Sequence, residues 1–167
     1  MYQKRIQLTL FIPESDSEAI EKIRSTYNPE QYALIRSHVT LCREDELEQI
    51  DQVLLNLENL YSGCITIAFG DVIRFSDGKG ILIPAQKDNE TFQQLRAKVL
   101  DGIMEQPRIH NPHITLMHPR NATCTDEIFD LIQKKTFPKA ISFRKISLIE
   151  QKIGMKWNIL KEFELKN

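Results

Sequence analysis

Several things are missing from this chain of 167 residues, and each absence removes a class of function. It has no excess of charge of one sign: 22 Lys and Arg stand against 23 Asp and Glu, a net of −1. No global field therefore draws in a long polyanion, although a local basic patch inside a cleft is compatible with that balance. Cysteine is scarce. Cys42, Cys64 and Cys124 are odd in number, widely spaced and form no CxxC pair, so they build neither a disulfide framework nor a zinc knuckle. They are expected as buried free thiols in a reducing compartment. Long apolar runs are absent too. After Lys4 and Arg5, the stretch from Ile6 to Ile12 is interrupted by Gln7 and Thr9, too short and too polar for a signal peptide or a membrane span. A cytoplasmic location is the expectation. There is no Gly-x-Ser-x-Gly elbow, no glycine-rich phosphate loop with its lysine, no low-complexity tract and no long linker. Serine-hydrolase and nucleoside-triphosphatase chemistry are thus not indicated.

What remains is an ordinary globular composition, 41% hydrophobic and 27% charged, enough to bury a core without staples. Residues 5–12 read as a strand ending at Pro13. Ala19, Ile20, Ile23 and Tyr27 follow on one helical face, and Arg36 to Cys42 returns to strand composition. From about Glu44 to Leu60, Leu47, Ile50, Val53, Leu54, Leu57 and Leu60 keep helical spacing. Cys64 to Phe69 is strand-like, and Ser76-Asp77-Gly78-Lys79-Gly80 marks the turn of a hairpin joining Val72–Phe75 to Ile81–Ile83. Phe92, Leu95, Val99 and Ile103 form another helix face, and His113–Met117 another strand. Thr123 to Asp126 has the spacing of a capping box before Ile128, Leu131 and Ile132. Ala140–Ile153 and Trp157–Leu165 look like closing strands joined through Gly154. Mixed strands and helices with hairpin signals predict an α+β fold rather than a doubly wound parallel sheet.

One pattern stands out against this background. His38-Val39-Thr40-Leu41 is repeated as His113-Ile114-Thr115-Leu116, 75 residues on. From the chain's own composition, two such tetrapeptides among four histidines arise by chance on the order of a few times in 100,000. In a strand, residues i and i+2 share a face. Each motif therefore sends its histidine and threonine to one side and its two apolar residues to the other, where they can anchor the strand. Phosphodiester cleavage needs a base for the attacking oxygen and an acid for the leaving one, and imidazole titrates near neutrality. Threonine hydroxyls can donate to the non-bridging oxygens, where charge grows in the transition state.

On these two motifs the chain resembles the 2H phosphoesterase superfamily, the group of 2′,5′ RNA ligase-like proteins and cyclic phosphodiesterases. His38, Thr40, His113 and Thr115 match its pair of His-x-Thr-hydrophobic motifs, and length and element order agree over nearly the whole chain. The resemblance implies one domain over residues 1–167 made of two duplicated lobes related by a pseudo-twofold. Antiparallel sheets would form a central cleft with helices packed outside. It implies catalysis by those four residues on 2′,3′-cyclic phosphates, related cyclic nucleotides or 2′–5′ RNA linkages, without metal or other cofactor. The substrate would be a small nucleotide or an RNA terminus; neither a membrane nor an obligate protein partner is implied.

Around the motifs, Arg36 lies two residues before His38 and on a strand would share its face, as a phosphate clamp. His118 and Arg120 follow the second motif on a loop at the cleft edge and are further candidates for substrate contact. Cys42, two after Thr40, would share the face of His38 as an oxidation-sensitive thiol. His110-x-x-His113 has the spacing of a helical metal pair, but Asn111-Pro112 breaks a helix there and no Asp or Glu is adjacent. A different class of function, an RNA-end or nucleotide-binding module with little catalysis, would keep the fold without needing an acid–base pair.

Overall fold

A computed structural model describes residues 3–166. The first motif lies on an edge strand of a four-stranded antiparallel sheet. That sheet is built from β1 (Lys4–Phe11), β2 (His38–Cys42), β8 (Lys145–Lys152) and β9 (Asn158–Glu164) in the order β2-β1-β8-β9. The second motif lies on the edge of a three-stranded sheet of β4 (Ile73–Arg74), β5 (Ile81–Pro84) and β6 (His113–Met117), in the order β4-β5-β6. A two-stranded sheet of β3 (Ile65–Ala68) and β7 (Ala140–Phe143) continues this second lobe through a bridge between Phe69 and Ala85. Helices α1 (Glu14–Tyr27), α2 (Pro29–Leu34), α3 (Ile50–Glu58), α4 (Glu90–Val99) and α5 (Asp126–Gln133) complete the α+β architecture.

The lobes treat their motifs alike. β1 pairs with β2 as Phe11 opposite His38, Leu10 opposite Val39 and Thr9 opposite Thr40; the register then slips, leaving Leu8 opposite Cys42. β5 pairs with β6 as Pro84 opposite His113, Ile83 opposite Ile114 and Leu82 opposite Thr115, then slips to Ile81 opposite Met117. Leu41 and Leu116 are thus the extra residues of two equivalent bulges. A bulge reverses the alternation beyond it. Cys42 and Met117 turn into the core, 0% and 1% exposed, instead of following His and Thr to the other face. Cys42 is therefore not at the cleft edge, and burial pushes its thiol up to about 12. Cys64, expected as buried, is exposed.

Val39, Leu41, Ile114 and Leu116 all lie in one continuous core with Ile20, Phe92 and Ile146. Each such side chain contributes ~1.5–3 kcal/mol on burial, which fixes which face of each motif strand is left for histidine and threonine. The helix expected from Glu44 to Leu60 is instead a 3₁₀ turn at Glu44–Glu46 followed by α3. Glu46 is the reason. It is 1% exposed and forms an ion pair with the equally buried Arg96 of α4 at 2.6 Å, which draws the turn away from the helix axis. Arg96 also donates to the Leu41 carbonyl at 2.5 Å, tying α4 to the first motif strand. The cap of α5 is Thr125, whose hydroxyl accepts from Ile128 N–H at 3.2 Å, rather than Thr123. The closing segment splits at Arg144: Ala140–Phe143 joins the second lobe and Lys145–Lys152 the first.

Candidate active site

The two motif strands converge on one small cavity of about 170 Å³. His38, Thr40, His113 and Thr115 all line it, with Arg5, Gln7, Arg24, Gln31, His118, Arg120 and Trp157 among the other lining residues. The imidazoles are held the same way. His38 Nδ1 lies 2.8 Å from the Arg36 carbonyl, and His113 Nδ1 lies 3.0 Å from that of Asn111. A carbonyl can only accept, so each Nδ1 carries the proton. Each Nε2 is then left to accept a proton when the ring is neutral and to donate one when it is charged. An aromatic edge supports each ring: Phe11 against His38 at 6.2 Å between centroids, and Phe75 against His113 at 6.0 Å.

Burial pulls His38 down to about 4; the Arg36 carbonyl opposes this, while the charges of Arg24, His113 and His118 add to it. At neutral pH the His38 imidazole is therefore unprotonated. Arg24 is 2% exposed and donates to Glu21 at 2.5 Å and to the Ile35 carbonyl at 2.7 Å, so α1 fixes the loop that enters β2.

The threonines differ. Gln7 Nε2 donates to Thr9 Oγ1 at 2.7 Å and to Thr40 Oγ1 at 3.1 Å. By register, the second-lobe counterpart of Gln7 is Gly80. A Cβ there would come within 2.6 Å of the Met117 carbonyl and of the Phe75 ring, so that position carries no side chain to orient Thr115.

Of the other residues expected at the site, His118 and Arg120 do line the cavity. Arg36 does not. β2 begins only at His38, so the two-residue alternation does not extend back to Arg36. Its guanidinium instead lies 4.5 Å over the Phe11 ring, in a separate groove with Arg144 and Lys145. His110 is also off the cavity: its Nε2 is buried with no hydrogen-bond partner, and burial pulls the ring down to about 4. Among the described residues, no group of three or more His, Cys, Asp or Glu side chains is placed to hold a metal ion. Nor is any helix of the described residues long and apolar enough to cross a membrane.

Sequence reasoning missed Arg5, Gln7, Arg24, Gln31 and Trp157. Arg5 and Gln7 could have been found, because with Thr9 they form an i, i+2 series on β1, the strand that must pair with the motif. Trp157 comes from the far end of the chain, and nothing local marks it.

A fold of two antiparallel lobes meeting at a pair of His-x-Thr strands defines the class of 2H phosphoesterase-like proteins. A sequence model of the 2′-5′ RNA ligase superfamily matches residues 12–154, and the chain belongs to that family. Its fold is similar to Escherichia coli LigT complexed with 3′-AMP, with a TM-score of 0.69 at 17% identity over 98% of this chain and 99% of that one. It is also similar to a crystal structure described as a phosphoesterase, with a TM-score of 0.69 at 18% identity over 99% and 100% of the two chains. A third likeness is TT0787 of Thermus thermophilus, with a TM-score of 0.63 at 15% identity over 98% of each chain. No curated protein sequence matches.

Proposed function

We propose that the chain is a metal-independent phosphoesterase that opens 2′,3′-cyclic phosphates, related cyclic nucleotides or 2′–5′ RNA linkages by two-histidine acid–base catalysis. The observation that carries this reading is that both imidazoles line one cavity while each Nδ1 is held by a backbone carbonyl, which leaves Nε2 as the ring nitrogen available for proton transfer. LigT, whose fold this chain shares, has been crystallised with 3′-AMP, with phosphate and with ATP, in keeping with a nucleotide phosphate in such a cleft. We read the two lobes as one domain that arose by duplication.

In the reaction, neutral His38 takes a proton from the attacking water onto Nε2 as the new P–O bond forms. His113, protonated at Nε2, delivers its proton to the ribose oxygen as the opposite P–O bond breaks. Thr40 and Thr115 donate to the non-bridging oxygens, where negative charge accumulates. The product is a phosphomonoester beside a free hydroxyl, and proton exchange with solvent resets both rings. Run backwards, the same steps close the ring and release water, with His113 as base and His38 as acid; ligation would instead use a ribose hydroxyl of a second strand in place of the attacking water, with the forward roles unchanged.

Turnover of 2′,3′-cyclic AMP in the presence of EDTA tests the reading. The wild type should be active. Each of His38→Ala and His113→Ala should lose on the order of 10²–10⁴ in rate. Tight nucleotide binding by a wild type that turns over neither the cyclic nucleotide nor a 2′–5′ dinucleotide would assign a binding module instead.

A further inference from the structure

The cavity that holds the two motifs is lined by three arginines and three histidines and by no carboxylate, in a chain whose net charge is −1. Of those three arginines only Arg24 has a carboxylate partner, Glu21. Arg5 and Arg120 have no carboxylate partner among the described residues. Arg5 donates to the neutral amide oxygen of Gln151, its Nε at 3.0 Å, and its guanidinium lies 5.1 Å from the centre of the Trp157 ring. Arg5 and Arg120 are close enough to repel: after burial, the Arg120 charge is the main influence lowering the Arg5 guanidinium, and it outweighs the pull of Glu44. Holding two unneutralised guanidiniums together costs free energy that an anion between them would recover.

The loop that carries His118 and Arg120 is held in place by its own bonds. Arg120 N–H donates to His118 Nδ1 at 3.1 Å, so a neutral His118 carries its proton on Nε2 and presents a donor, the reverse of His38 and His113. Asn28, 1% exposed, accepts from His118 N–H at 2.8 Å and donates to Asn121 Oδ1 at 2.8 Å. The loop carrying His118 and Arg120 is thereby fixed to the start of α2.

Position separates this patch from the reacting phosphate. The scissile group is served by the motif histidines and threonines. Arg5 lies one pleat repeat beyond Gln7 on β1, ~7 Å along the strand, and Gln7 is the residue bonded to Thr40. We infer that Arg5, Arg120 and His118, backed by Trp157, form a second anion subsite, and that the substrate carries a further phosphate next to the one that reacts. This rests on the reading of the cleft as a phosphate-ester site. The shared chemistry is a phosphate oxygen pair in reach of two guanidiniums. Its source is either a terminal 5′-phosphate or the next phosphodiester of an RNA strand.

The test compares kcat/KM for adenosine 2′,3′-cyclic phosphate, its 5′-phosphorylated form, and the dinucleotide ApA ending in a 2′,3′-cyclic phosphate. At least one of the last two should exceed the first by about tenfold or more, and which one does so identifies the source. That preference ratio should fall toward one in Arg5→Gln and in Arg120→Ala, and Arg120→Lys should keep part of it. Arg120 is an exposed lip residue whose side chain has no partner among the described residues, so its replacement leaves the fold in place. A wild-type ratio near one, or a ratio unchanged in both variants, overturns the inference. A second arm is independent of turnover. Trp157 is the chain's single tryptophan and lines the cleft, so its fluorescence reports binding directly. Adenosine 3′,5′-bisphosphate should bind about tenfold or more tightly than 3′-AMP in the wild type, and not in Arg120→Ala. If nothing is turned over yet this difference holds, the catalytic reading fails and the subsite stands; equal binding of the two nucleotides removes the subsite.

Discussion

Gln7 Nε2 lies 3.1 Å from Thr40 Oγ1 and can only donate to it. The Thr40 hydroxyl accepts this bond, which leaves its own hydrogen free to be donated to a group in the cavity that Thr40 lines. The same amide also serves the buried Thr9 hydroxyl at 2.7 Å, so its orientation is fixed from two sides.

Gln7→Glu reverses the polarity of that bond, because a carboxylate accepts the Thr40 proton instead of donating. Losing a hydrogen bond to a charged oxygen is worth about 1.5–3 kcal/mol. kcat should therefore fall about tenfold or more while the melting temperature moves by only a few degrees. Gln7→Ala, which frees the hydroxyl without inverting it, should be milder. Steady-state kinetics beside thermal denaturation decide the matter; equal kcat in all three proteins would remove Gln7 from the site.

The pH dependence follows from the histidines. With His38 held down to about 4 in the free protein, the acid limb of kcat/KM should lie near pH 4, well below that of an ordinary imidazole. A limb between pH 6 and 7 would contradict His38 as the base. Stability follows the same groups. Folded His38 and His110 both titrate at about 4, below the ~6.5 of an unfolded chain. Between those values the unfolded state binds more protons, so stability is full above pH ~6.5 and declines as the pH falls toward 4. Urea titrations from pH 7 to 4 read this slope.

The Glu46–Arg96 pair, each residue 1% exposed, should behave as a buried charge pair does. Glu46→Ala leaves the Arg96 guanidinium uncompensated and should cost about 3–5 kcal/mol. A double replacement by apolar residues of similar volume should cost less than that single one. Burial opposes the Glu46 charge, but the bonds from Arg96 and from Arg43 N–H prevail and hold its carboxyl below the usual range. The pair's contribution is thus present at neutral pH and lost only as pH falls through that lowered value. Denaturant midpoints of the single and double variants measure it.

Thiol titration separates the three cysteines. In the native protein Cys64, which is exposed, should react rapidly with a disulfide reagent. Cys42, buried and raised to about 12, and Cys124, buried and raised by desolvation, should react only on unfolding. Cys64→Ser should abolish the fast phase, and a fast phase surviving in that variant would place another thiol at the surface.

The repeated tetrapeptide was enough to foresee which four side chains line one cavity, because strand alternation alone decides that His and Thr leave by one face when Val39, Leu41, Ile114 and Leu116 are buried. Alternation also misled wherever the strand was not regular. Cys42 lies beyond a bulge and Arg36 before the strand begins, and a tetrapeptide shows neither boundary. The Glu44–Leu60 helix broke because a buried glutamate found an arginine 50 residues away, a tertiary preference that outweighs helical periodicity. Arg24 and Trp157 reach the cleft from other elements, so their place there depends on topology rather than on any local pattern.

If His38 and His113 act on one phosphorus atom in one step, their contributions to rate cannot be independent. A double-mutant cycle on 2′,3′-cyclic AMP hydrolysis in EDTA, with His38→Ala, His113→Ala and the double variant, puts this to the test. Each single variant should lose nearly all activity, and the double variant should be no slower than the worse single one. Losses that multiply, or a single variant with near-normal turnover, would contradict joint action of the two histidines.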